Sequence, residues 1–128
     1  MKNKVLIIQA NYYKDISTAL LKSAKNELKN FAKINVISVP GVFEIPVVIS
    51  KNLKKYDGFV ALGCVIKGQT PHFDFISKST TDAIMNISVK SKKPVGNGII
   101  TCLNKNQAIA RGKKGREAAN AVKTILSL

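Results

Sequence analysis

The sequence predicts a three-layer α/β/α domain built on a four-stranded parallel sheet. Three observations predict it: short β-branched apolar runs at 4–10, 35–39, 58–66 and 95–102; intervening segments whose apolar residues recur every three or four positions; and the almost unbroken apolarity of the run 58–66. Strands alternating with helices favour parallel pairing through right-handed crossovers. A strand apolar on both faces belongs in the middle of such a sheet.

The first run, KVLIIQA (4–10), has polar ends and reads as a buried strand. From Ile16 the positions Ile16, Leu20, Ala24, Leu28 and Phe31 form one apolar stripe along a helix of about four turns, with Asp15 or Ser17 as its cap. NVISV (35–39) is the second strand. VPGVFEIP follows it and ends in Pro46, which suits the first turn of a helix reaching about residue 53. GFVALGCVI (58–66) is the central strand, a polar loop takes 67–73, and Ile76, Ala83, Ile84 and Ile87 mark the next helix. The fourth strand covers 95–102, a short helix 107–110, and a last helix 117–126 carries Ala118, Val122 and Ile125 on one side. No repeat or linker interrupts the series, so the 128 residues are read as a single domain spanning 1–128.

With 45% hydrophobic and 22% charged residues, the chain has enough apolar surface to fold around a core. The apolar stretch 5–8 after Lys2 and Lys4 is too short for a secretory or membrane-spanning segment, so neither export nor membrane insertion is expected. Cys64 and Cys102 lie far apart in sequence with no CxxC and no neighbouring histidine, which suggests neither a metal site nor a disulfide framework and suits a reducing cytoplasm. The net charge of +14 raises the question of a nucleic-acid partner. However, all but two of the basic residues are lysines scattered through every segment. Arginine, the usual bidentate reader of bases and phosphates, occurs only at Arg111 and Arg116, so a solvated lysine surface is the better reading.

In a parallel sheet the ligand crevice lies beyond the carboxyl ends of the strands. That rule selects Asn11-Tyr12-Tyr13, the residues 40–44 and the residues 67–72, which together hold aromatics, glycines, an acid and the sole histidine. Gly68-Gln69-Thr70 is either an ordinary turn or an anion cradle near the start of a helix; it matches neither GxxxxGK[ST] nor GxGxxG. His72 is a structural histidine or a proton carrier, histidine being the side chain that ordinarily titrates near neutrality. Glu44 either complements the helix dipole or accepts hydrogen bonds from sugar hydroxyls. Tyr12 or Tyr13 packs at the strand end or offers a ring face to a planar heterocycle. Arg111 caps helix carbonyls or clamps a phosphate.

VPGVFEIP (39–46), DGFVALGCVIKGQTPHFDF (57–75) and PVGNGIIT (94–101) resemble, in order and spacing, the three signature blocks of the lumazine synthase family. With QANYYKDIS near the start and NQAIAR near the end, the resemblance covers most of the chain. It implies a flavodoxin-like fold and the condensation of 5-amino-6-(D-ribitylamino)uracil with 3,4-dihydroxy-2-butanone 4-phosphate to 6,7-dimethyl-8-ribityllumazine, without metal or organic cofactor. It also implies roles for residues. Tyr12 would stack on the pyrimidine. Val42, Phe43 and Glu44 would meet the ribityl chain and ring, and Cys64, Val65 and Ile66 would offer backbone contacts. Gln69 and Thr70 would hold phosphate, and His72 would transfer protons. Asn97 and Arg111, the latter a phosphate ligand, would come from the adjacent subunit of a homopentamer.

Three departures from the family pattern carry expectations. Only Met1-Lys2-Asn3 precede the first strand, where many members carry an arm that reaches a neighbouring subunit, so the resemblance implies a pentamer and leaves assembly beyond it open. GKKGREAA follows Arg111 where a longer loop and an NKG motif are common, so Lys114 is not counted as a site residue. Asn11 replaces a common arginine and Asn97 an aromatic, which makes the expected pyrimidine pocket looser or more polar. A flavin-binding flavodoxin-like module would share the architecture but would need neither His72 nor Glu44. A phospho-acceptor domain would need acids at strand carboxyl ends, whereas Asp57 precedes its strand.

Overall fold

A computed structural model describes residues 2–69 and 71–128. Four strands, β1 (Asn3–Ala10), β2 (Ala32–Val39), β3 (Gly58–Ile66) and β4 (Val95–Cys102), form one parallel sheet in the order β2-β1-β3-β4. The helices are α1 (Lys14–Leu28), α2 (Ile45–Lys51), α3 (His72–Ser91), α4 (Lys105–Ala110) and α5 (Lys114–Leu126). The three-layer α/β/α architecture read from the sequence is the one observed.

The alternation of β1 and β3 explains the layering. Val5, Ile7, Val60 and Leu62 point to one face, where they meet Leu20, Ala24 and Leu28 of α1 and Ala118 and Val122 of α5. Leu6, Ile8, Phe59 and Ala61 point to the other, against Ile45 and Ile49 of α2 and Ile84 of α3. Both inner strands are therefore covered twice, and each fully buried Leu or Ile contributes about 1.5–3 kcal/mol over its exposed state. Gly96 lets α5 lie close on β4, because a Cβ there would sit 2.1 Å from the carbonyl oxygen of Ala118. Glu27 of α1 ties the same layer together, lying 3.4 Å from Arg116 Nε and 3.3 Å from Lys123 Nζ.

Several boundaries differ from the sequence reading. β2 begins at Ala32 rather than at residue 35, with Asn3 paired to Ala32. α1 has Tyr13, not Asp15 or Ser17, as its N-cap, and the buried Ser17 hydroxyl instead donates to the Ala10 carbonyl at 2.5 Å. Glu44 ends a single 3-10 turn (Val42–Glu44) and is the N-cap of α2 rather than a residue of its first turn. α3 starts at His72, so the loop before it is shorter than 67–73. Not every lysine belongs to a solvated surface: Lys92 is the left-handed C-cap of α3 (φ 60°), and Lys93 Nζ donates to the carbonyls of Leu53 and Tyr56. Among the described residues no helix is long and apolar enough to cross a membrane.

Candidate active site

The chain passes from β1 outward to β2, then crosses back over β1 to β3. The connections leaving β1 and β3 therefore run in opposite directions, and the gap between their carboxyl ends is the switch point at which α/β sheets bind ligands. A cleft of about 340 Å³ opens there, lined by Tyr12, Tyr13, Gly41, Val42, Phe43, Cys64, Val65, Ile66, His72 and Ile76. Each group arrives by a simple route. Tyr12 and Tyr13 form the turn from β1 into α1, with Asn11 N–H held by the Val39 carbonyl at 3.0 Å. Val42 and Phe43 lie in the 3-10 turn after β2. Cys64, Val65 and Ile66 are the end of β3, and Lys67 N–H donates to the Cys102 carbonyl at 2.8 Å. His72 is the first residue of the 20-residue helix α3, and Ile76 stands one turn further along it.

Of the residues singled out by sequence, the cleft gathers Tyr12, Val42, Phe43, Cys64, Val65, Ile66 and His72. Tyr12 is 74% and Phe43 63% exposed, so two aromatic rings stand at its mouth. Glu44 is beside the cleft but turned into its own loop, where Oε1 accepts from Gly41 N–H at 3.0 Å. Gln69 lies exposed on the β3–α3 loop outside the lining, and Thr70 lies outside the described residues. Asn97 and Arg111 are elsewhere. β4 is an edge strand; Asn97 Oδ1 accepts from Ile99 N–H at 3.0 Å, and Arg111 Nη1 donates to the Thr101 carbonyl at 3.1 Å. Arg111 lines a separate concavity of about 540 Å³ with Thr101, Lys113 and Lys114, and shares no wall with the His72 cleft.

Of the other three lining residues, Tyr13 and Gly41 lie in segments that the sequence selects, Tyr13 as the alternative to Tyr12 and Gly41 without a role of its own, while Ile76 carries only a helical signal. Gly63 was missed: a Cβ there would lie 2.5 Å from Val42 Cγ1, so its missing side chain is what allows the 3-10 turn to sit against β3.

A larger concavity, about 1060 Å³, lies along α1 and the α4–α5 connection, with Lys22, Lys25, Lys29 and Lys113 among its walls. It holds no acid or histidine and lies on the outer side of α1. Chemistry therefore favours the smaller cleft. Among the described residues, no three His, Cys, Asp or Glu side chains gather as a metal site.

Burial, with the neighbouring Cys102 thiol adding, pushes the Cys64 thiol up to about 12 from 9.0. The folded protein thus keeps a proton that the unfolded chain releases. Stability from this group is complete below about pH 9 and is lost as pH rises toward 12. At pH 8, alkylation of Cys64 by iodoacetamide is expected to be about 10³-fold slower than that of an ordinary thiol and to recover on unfolding. Fast labelling of the folded protein would show instead that Cys64 is an active nucleophile. Burial, with Tyr12 and Cys64 adding, also raises the Tyr13 hydroxyl above its ordinary value.

The fold and cleft define a parallel α/β protein whose switch-point cleft is walled by aromatic side chains and a histidine. The model of the 6,7-dimethyl-8-ribityllumazine synthase family matches residues 2–128, and the chain belongs to that family, whose members are transferases of riboflavin biosynthesis. A 6,7-dimethyl-8-ribityllumazine synthase of Agrobacterium fabrum is 43% identical over 140 residues, covering 99% of this chain and 95% of the relative. That of Bartonella tribocorum is 43% identical over 136 residues, with 99% and 90% covered. The 6,7-dimethyl-8-ribityllumazine synthase 1 of Rhizobium meliloti is 40% identical over 137 residues, with 97% and 90% covered.

Proposed function

We propose that this chain condenses 5-amino-6-(D-ribitylamino)uracil with 3,4-dihydroxy-2-butanone 4-phosphate to 6,7-dimethyl-8-ribityllumazine, releasing phosphate and water. The observation that carries the reading is the switch-point cleft, which His72 lines together with the end of β3 and two exposed aromatics, in a chain matching the family over residues 2–128. A flavin carrier would share the sheet but not that match.

The amine adds to the ketone carbon, and the resulting hydroxyl leaves as water to give an imine. Loss of the proton from the carbon bearing the 3-hydroxyl, with cleavage of the C4–O bond, expels phosphate and leaves an enol that tautomerises to a ketone; the second nitrogen adds to this carbonyl and closes the ring with loss of another water. Every step moves protons, and none takes electrons from outside, so the chemistry requires no redox cofactor. Holding both substrates with reacting atoms together supplies roughly 7–11 kcal/mol of barrier lowering. In this reading His72 carries protons and Tyr12 stacks on the pyrimidine. Val42, Phe43 and Glu44 meet the ring and ribityl chain, with Glu44 Oε2 accepting while Oε1 keeps Gly41. Backbone groups of Cys64, Val65 and Ile66 contact the pyrimidine. Gln69 and Thr70 hold phosphate.

Asn97 and Arg111 complete the site from an adjacent copy in a homopentamer. Their position on the far edge of the sheet supports this, because the cleft of one chain has no arginine in its lining. The two buried free thiols support a reducing cytoplasm as its location.

The test is the purified protein with both substrates. Appearance of the fluorescent lumazine with matching phosphate release is expected, and turnover of neither substrate would sink the reading.

A further inference from the structure

Tyr12 presents a difficulty as a stacking platform. It is 74% exposed at a turn, where a ring in water samples several rotamers. A platform binds better when its orientation is fixed beforehand. Tyr13 supplies a constraint. The two ring centroids are 4.9 Å apart and their planes meet at 87°, the edge-to-face arrangement that aromatic quadrupoles favour.

Tyr13 is itself well fixed. It packs against the core cluster containing Ile16, Leu20, Cys64 and Cys102. It is the N-cap of α1, its carbonyl accepts from Ser17 N–H at 2.9 Å, and the Ser17 hydroxyl donates to the carbonyl of Ala10, the last residue of β1. Rigid core, helix start and strand end thus converge on Tyr13, and its edge-to-face contact passes this rigidity to Tyr12.

We propose that Tyr13 is a positioning residue, its ring holding the Tyr12 ring in one orientation at the cleft mouth for the pyrimidine substrate. The inference rests on the proposed function and adds to it a residue that acts through another. Both rings line the cleft, so loss of the Tyr13 ring should weaken capture of the pyrimidine without touching the phosphate substrate.

The experiment compares KM and kcat for the wild type, Tyr13→Leu, Tyr13→Phe, Tyr12→Leu and the Tyr12→Leu/Tyr13→Leu double variant. Tyr13→Leu is expected to raise KM for the aminouracil about 2- to 12-fold, the worth of an edge-to-face pair, with kcat and the butanone phosphate KM within about twofold of wild type. Tyr13→Phe restores the ring and is expected to restore KM. In the Tyr12→Leu background the same change is expected to have no further effect. Tyr13→Met provides a milder truncation should Tyr13→Leu fold poorly. An unmoved aminouracil KM in either truncation, or an equal rise when Tyr12 is already Leu, overturns the inference while leaving the proposed function intact. A wild type that makes no lumazine overturns both.

Discussion

His72→Ala is expected to reduce kcat for lumazine formation about 10²–10⁴-fold, the usual worth of positioned acid–base help. The expectation follows from placement. His72 opens α3 directly after Pro71, at the end of the β3 connection, and shares the cleft with the last three residues of β3. Alanine keeps the main-chain groups of this first helical turn and favours helix, and the histidine is solvent-exposed, so folding should change little. The thermal midpoint of the variant should stay within a few degrees of wild type. Residual turnover should remain above the uncatalysed rate, because the cleft still brings the two substrates together. Wild-type turnover in the variant would remove His72 from the mechanism.

The inner parts of the fold were legible in the sequence because their burial is uniform. GFVALGCVI and KVLIIQA are covered by helices on both faces, so almost every residue along them is apolar. The edge strand β2 was less legible. Lys33 and Asn35 are exposed at its start, and their polarity hides three residues that pair with β1. The start of α3 was hidden for a related reason: its first turns carry exposed Asp74 and Phe75, so no apolar period appears before Ile76.

The site was legible to the extent that topology alone assigns it. Strand carboxyl ends gather at a switch point whatever their side chains, and that rule brought Tyr12, Val42, Phe43 and His72 together. Orientation was not legible. That Glu44 turns back to Gly41, that Tyr13 rather than the chain ahead braces Tyr12, and that Gly63 makes room for Val42 depend on rotamers and on contacts between distant segments. Linear spacing carries no record of these.

Two variants that are each defective should rescue one another. If Arg111 clamps the phosphate as proposed, Arg111→Ala removes a charge-assisted contact, and KM for the butanone phosphate is expected to rise about 10- to 150-fold. In a single chain Arg111 lies on the outer side of β4, its Nη1 3.1 Å from the Thr101 carbonyl and 3.8 Å from Cys102 Sγ, in a concavity separate from the His72 cleft. If sites form between copies, each takes His72 from one chain and Arg111 from the next. Co-refolding equal amounts of His72→Ala and Arg111→Ala then places an intact histidine beside an intact arginine in about a quarter of the sites of a cyclic assembly. Activity at low phosphate substrate should return to about that fraction of wild type. If instead one chain supplied both residues, every site in the mixture would carry one defect, and no rescue would occur. The same mixture therefore reports on assembly and on Arg111 together, since recovered turnover requires both that copies meet and that the arginine of one reaches the histidine of another.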